Sequence, residues 1–202
     1  MHLVLLGDSI FDNAVYVNPG ESVSEHLARL LPADVALTRL AIDGDMSANV
    51  YFQLDKLPAT ATHIALSSGG NDALAVLPLL EAPCTTLSDA LRHLSGFQQK
   101  FQNDYLRLKQ RLAERALPVL VCTIYDAVPG LPAHLKTALS LFNDVISQSA
   151  NKDLNDCLDL RIFLTECSDF SAASPIEPSG SGGQKIAAHI ASWITSYQPQ
   201  RG

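Results

Sequence analysis

Short apolar runs alternate along the chain with longer stretches in which apolar residues recur every three or four positions. Runs at 3–6, 35–40, 64–66, 119–124 and 158–163 have the length and composition of strands buried on both faces. Helical spacing marks 22–31 (Val23, Leu27, Leu30, Leu31, stopping at Pro32) and 87–117 (Leu91, Leu94, Phe101, Tyr105, Leu108, Leu112). It returns at 135–150 (Leu139, Phe142, Val145, Ile146) and 183–197 (Ile186, Ile190, Trp193, Ile194, Tyr197). Strand and helix therefore alternate, which predicts a three-layer α/β/α sandwich around a five-stranded parallel sheet with right-handed crossovers. No repeat, linker or low-complexity tract divides the 202 residues, so one domain, 1–202, is expected.

In such sheets ligands bind at the carboxyl ends of the strands. Four of the predicted strands end in small and polar residues: Gly7-Asp8-Ser9, Asp43-Gly44-Asp45, Ser67-Ser68-Gly69-Gly70-Asn71-Asp72, and Tyr125-Asp126. None of these carries G-x-G-x-x-G, the phosphate loop G-x-x-x-x-G-K-[ST], or the G-x-S-x-G nucleophile elbow. Taken singly, each has a plain structural explanation. Gly-Asp-Ser fits a turn with a helix cap, Gly44 a turn glycine, and Gly70-Asn71-Asp72 a capped loop.

Together and in this order, Gly-Asp-Ser after the first strand, Gly44 after the second and Gly-x-Asn-Asp after the third resemble the SGNH/GDSL hydrolase family. The resemblance implies the flavodoxin-like strand order 2-1-3-4-5, a nucleophilic Ser9 and an oxyanion hole built from the N–H of Ser9, the N–H of Gly44 and the side-chain amide of Asn71. Asp8, Gly70 and Asp72 are expected to support it. Neutral donors converging on one point hold a developing oxyanion without adding charge.

The family's last block, Asp-x-x-His followed by Pro and a Gly-led helix, departs from its pattern here. Pro178, Gly182 and the helix are in place, but Ser174 stands where the aspartate belongs and Glu177 where the histidine belongs. Starting the block at Asp169 instead puts Ala172 in the histidine position. Glu177 is thus the expected base of a Ser–Glu dyad, with Ser174 orienting it. Burial beside Pro175, Ile176 and Pro178 would raise its pKa toward that of an imidazole. His134 and His189 are the alternatives, and Glu177 as a mere brace of the last helix is the opposing reading.

Composition narrows the partners. A net charge of −7 with no basic cluster argues against nucleic acid, and no apolar run approaches about 18 residues, the length of a membrane span. The opening apolar run lacks the form of an export signal, so a soluble cytoplasmic protein is expected. Cys84, Cys122, Cys157 and Cys167 match no metal spacing and are expected as reduced core thiols, Cys122 most clearly. No cofactor or metal is anticipated. Asp8, Asp12, Asp43, Asp45 and Asp72 gather near the strand ends, where a hard cation competes with capping and turn roles. Phe11, Tyr16, Tyr51, Phe52 and Tyr125 are candidates for a pocket lining, and the Pro-stiffened segment 127–132 for a cover.

The function expected is hydrolysis of small O-acyl esters of the acetyl type through an acyl-enzyme, since no extended apolar lid is evident in the sequence. A catalytically weak or inactive ligand-binding protein on the same scaffold is the alternative, its cradle holding a carboxylate, phosphate or carbohydrate. A flavodoxin-like carrier rests on fold analogy alone.

Overall fold

The computed structural model describes residues 1–152 and 156–197, with side chains treated up to 150 and from 156. Five parallel strands form one sheet: β1 (His2–Gly7), β2 (Ala36–Arg39), β3 (His63–Ser67), β4 (Val119–Cys122) and β5 (Asp156–Leu158). Their order is β2-β1-β3-β4-β5, as predicted. The register aligns Gly7 with Ser67 and Ser67 with Cys122, so three strands end at one level.

Alternation along β1 divides the core. Leu3 and Leu5 face a cluster with Val23 and Leu27 of α1 (Val23–Leu30) and Ile186, Ile190 and Ile194 of α7 (Gly180–Ser196). Val4 and Leu6 face the opposite cluster, formed by α2 (Val50–Leu54), α5 (Leu87–Ala113) and α6 (Ala133–Lys152). Two short helices, α3 (Gly70–Leu74) and α4 (Leu77–Leu80), lie between β3 and α5.

Local chemistry sets the helix starts. Ser22 with Glu25 and Thr86 with Asp89 form capping boxes at α1 and α5, each satisfying two backbone N–H groups that the helix leaves open. Ser179 caps α7 by accepting from the Gly182 N–H at 3.1 Å.

Four expectations need correction. The run 158–163 is not a strand: β5 ends at Leu158, and Leu160–Ile162 forms a 3-10 turn. Asp159 causes the break by accepting from the Arg161 N–H at 3.1 Å and binding its guanidinium, which pulls the chain out of register. The apolar stripe of α5 is buried only from Phe101 onward; Leu87 and Leu91 are exposed because the helix outruns the sheet it packs on. Cys122 is buried, but Cys84, Cys157 and Cys167 are exposed rather than core thiols, since none lies on the inward face of a central strand. Of the five aromatic candidates, Phe11 is wholly buried in the core and Phe52 is exposed.

Candidate active site

Ser9 follows β1 across a turn that only glycine permits. Gly7 has φ 122°, and a Cβ there would stand 1.6 Å from the Ser67 carbonyl oxygen. The Gln53 side chain fixes this strand end, accepting from the Gly7 N–H at 2.7 Å and donating to its carbonyl at 2.8 Å. Asp8 closes the turn by accepting from the Ile10 N–H (3.2 Å) and the Ser67 hydroxyl (3.0 Å). Ser9 is left facing a pocket of about 200 Å³, and its own N–H makes no hydrogen bond among the described residues.

Glu177 reaches the same pocket from the far end of the chain. Its backbone is held at three consecutive carbonyls: Tyr125 donates its phenol to Ile176, the Ser171 N–H donates to Glu177 at 2.8 Å, and the Asn13 amide donates to Pro178 at 3.3 Å. Behind it, Gly182 packs so closely on the Asp169 carbonyl that a Cβ would lie 2.1 Å from that oxygen. Glu177 is 5% exposed. Burial pushes its pKa up to about 7, the Ser9 hydroxyl pulls it down, and the charge of Asp43 pushes it up. Oε2 is buried without a hydrogen-bond partner among the described residues. Ser174 does not orient the carboxylate through its hydroxyl as expected; its carbonyl accepts the Glu177 N–H at 2.9 Å, closing the turn that presents the side chain.

Asn71 also lines the pocket. Its amide donates to the Asp45 carbonyl at 3.0 Å, which uses one N–H and leaves the other. That bond ties the third strand's loop to the turn holding Gly44. Gly44 itself (φ 82°) sits on the exposed side of this turn and is not part of the pocket lining, although its N–H is unengaged among the described residues. Gly70 lines the pocket; Asp72 is buried nearby and braces the same loops, accepting from the Ser47 N–H and hydroxyl at 2.9 Å each.

Asp8 is the second acid of the pocket, 3% exposed. Burial raises its pKa to about 7 against the lowering effect of the Ser67 hydroxyl and Ile10 N–H; the charges of Glu177 and Asp72 add to the rise. The remaining aspartates are engaged separately. Asp12 pairs with Arg39, Asp43 accepts from the Tyr16 phenol at 2.6 Å, and Asp45 accepts from Gln53 at 2.7 Å. No group of three His, Cys, Asp or Glu able to hold a metal ion occurs among the described residues, and no described helix is long and apolar enough to cross a membrane. His134 and His189 are both exposed, His189 stacked on Phe163 at 4.2 Å, and neither lines the pocket.

The rest of the pocket is apolar. Leu74, Leu77 and Leu80 come from α3 and α4, Val128 and Leu131 from the Pro-stiffened segment, and Leu135, Ala138, Leu139 and Phe142 from α6. Tyr125 is the aromatic candidate that lines it; Tyr16 and Tyr51 do not. An extended apolar cover is thus present where none was expected. Two of its helices, α3 and α4, are only five and four residues long, too short to show a period in the sequence.

No protein-family model matches the chain, and no curated protein matches it. Solved structures do. A member of the lipolytic protein G-D-S-L family from Veillonella parvula aligns over 98% of this chain and 100% of its own, with a TM-score of 0.73 and 17% identity. The fold is that of the G-D-S-L lipolytic proteins. An extracellular lipase from Streptomyces rimosus aligns over 95% of this chain and 99% of its own (TM-score 0.68, 15% identity). A variant of an acetyl xylan esterase from Geobacillus stearothermophilus aligns over 100% and 97% (TM-score 0.69, 14% identity).

Proposed function

We propose that this protein is a serine ester hydrolase with a Ser–Glu dyad. Ser9 Oγ attacks the acyl carbonyl as Glu177 takes its proton, and the N–H groups of Ser9 and Gly44 with the free N–H of Asn71 steady the oxyanion. Collapse of the tetrahedral adduct expels the alcohol, which receives the proton back from Glu177. Water, deprotonated by the same carboxylate, then attacks the acyl-enzyme and releases the acid, returning the proton to Ser9. A carboxylate needs no partner to fix a tautomer, which is the task an aspartate has beside an imidazole, so the replacement at position 174 is consistent with the one at 177.

The observation that supports this reading is that Ser9 and Glu177 line one pocket, where burial brings the pKa of the carboxyl up to about 7, into the range of an imidazole. The acyl group is the part that lies along the apolar walls. An acetyl group, as in the esters cleaved by the acetyl xylan esterase of the same fold, would leave most of those walls uncovered, so an apolar chain of several carbons is the preferred acyl group.

The test is turnover of p-nitrophenyl octanoate, together with covalent labelling by a fluorophosphonate read as a mass gain on Ser9. Loss of both in Ser9→Ala, and a large loss of turnover in Glu177→Gln, is expected. Turnover surviving both substitutions overturns the dyad; a wild-type protein that neither turns over ester nor labels is a ligand-binding protein instead.

A further inference from the structure

Ligands of the proposed hydrolase meet an unusual electrostatic setting. The charged side chains lining the pocket are Asp8 and Glu177, and no Lys, Arg or His joins them. Both are more than nine-tenths buried, and neither forms an ion pair among the described residues. Asp8 uses Oδ1 for both of its hydrogen bonds, leaving Oδ2 beside Gly70; a Cβ on Gly70 would stand 3.8 Å from it. Glu177 Oε2 is buried without a partner. Two buried carboxyls therefore stand at the polar end of a chamber whose other walls are mostly apolar.

The groups around this pair deepen the negative field. Asp72 acts on Asp8 and Asp43 on Glu177, the phenols of Tyr16 and Tyr125 supply no positive charge, and Lys100, which acts on Asp72, is itself paired with Asp104 at 2.9 Å. Arg39, at the end of β2, is held by Asp12. A ligand whose polar end is a carboxylate would add a third anion in a site of low dielectric, whereas an ammonium would be attracted by both carboxyls.

We propose that the pocket selects ligands by the charge of their polar end, binding an apolar chain that ends in a cationic group and excluding the same chain ending in a carboxylate. This refines the substrate class of the ester hydrolase reading. Neutral esters, above all those of an alcohol bearing an ammonium group, are admitted, and the acid product is expelled by the carboxyls that helped to form it. The same field argues against the alternative in which the cradle stores a carboxylate or phosphate.

Calorimetric titration with octylammonium, octanol and octanoate at pH 8 tests the selection without using turnover. Octylammonium is expected to bind most tightly and octanoate most weakly, the two differing by on the order of 100-fold. Glu177→Gln and Asp8→Asn are each expected to reduce that ratio at least about tenfold. The wild-type protein gives an independent readout should a variant fail to fold. Lowering the pH from 8 to 5.5 protonates the pair and shrinks the ratio, while octanol binding stays constant. Octanoate binding as tightly as octylammonium at pH 8 overturns the inference. An inert protein that shows the preference sustains it and refutes the ester hydrolase reading; an active one that lacks the preference does the reverse.

Discussion

The Ser9 hydroxyl and the Glu177 carboxyl, brought from the first strand end and from the turn before the last helix, meet in one pocket, and the hydroxyl favours the ionised form of the acid. A general base must be deprotonated to act. With burial holding the Glu177 pKa at about 7, kcat/KM for a p-nitrophenyl ester rises through that pH and levels off above it. Glu177→Gln is expected to lower kcat by about 10²–10⁴ and to abolish the rise. A wild-type profile already flat from pH 5 to 7 would assign the proton to another group.

The same burial makes stability depend on pH in the opposite direction to that of a salt-bridged acid. Glu177 has a folded pKa of about 7 against an ordinary 4.5, so between those values the folded state binds the extra proton and stability falls as pH rises. Above about 7 the loss is complete, and below 4.5 there is none. From pH 5.5 to pH 8 the cost is about 2 kcal/mol for this group, equivalent to about 4–8 °C in Tm for a chain of this length. Asp8, raised from 3.8 to about 7, adds in the same direction. Thermal melts should therefore show a lower Tm at pH 8 than at pH 5.5. Glu177→Gln should raise the pH 8 value and flatten the dependence; an unchanged slope in that variant would show that the carboxyl is not desolvated.

The oxyanion donors differ in what their loss does. Asn71→Ala removes the amide that also holds the Asp45 carbonyl at 3.0 Å, so kcat falls by about 10²–10³ and the Gly44 turn loosens. Gly44→Ala meets no atom within 4 Å, but φ is 82°, so the substitution strains the turn by about 1–2 kcal/mol without a clash. Rate measurements should show a smaller loss than for Asn71→Ala, with KM nearly unchanged in both. Alanine keeps the backbone N–H, so the Gly44→Ala loss reports only how far the strained turn displaces that donor, and a loss larger than that of Asn71→Ala would contradict this ranking.

What the sequence made legible follows from how far each signal is local. The sheet order and the positions of Ser9, Asn71 and Glu177 depend on short runs and turn residues that are contiguous in the chain. The pocket wall does not. Leu74, Leu77 and Leu80 lie on two helices too short to show a period, and Leu91 looked like core because it shares the stripe of Phe101 and Tyr105, though the sheet ends before reaching it. Asn13 went unnoticed since its partners, the Pro178 carbonyl and the Val23 N–H, are remote in sequence. Leu158 to Phe163 misled because apolarity alone does not register the Asp159 turn.

The apolar wall sets the last expectation. Each methylene buried in a preformed pocket contributes up to about 0.8 kcal/mol, roughly fourfold in kcat/KM if the contact persists in the transition state. In a series of p-nitrophenyl esters from acetyl to decanoyl, kcat/KM should climb with chain length and then level off once the chamber is filled. Ala138 lines this chamber on α6, where a larger side chain would occupy the space of several methylenes. Ala138→Phe should therefore move the plateau to shorter chains while leaving acetyl turnover nearly constant, because Ser9, Asn71 and Glu177 lie on other elements. A wild-type profile that peaks at acetyl, or an Ala138→Phe variant that loses all esters equally, would place the acyl chain outside this chamber.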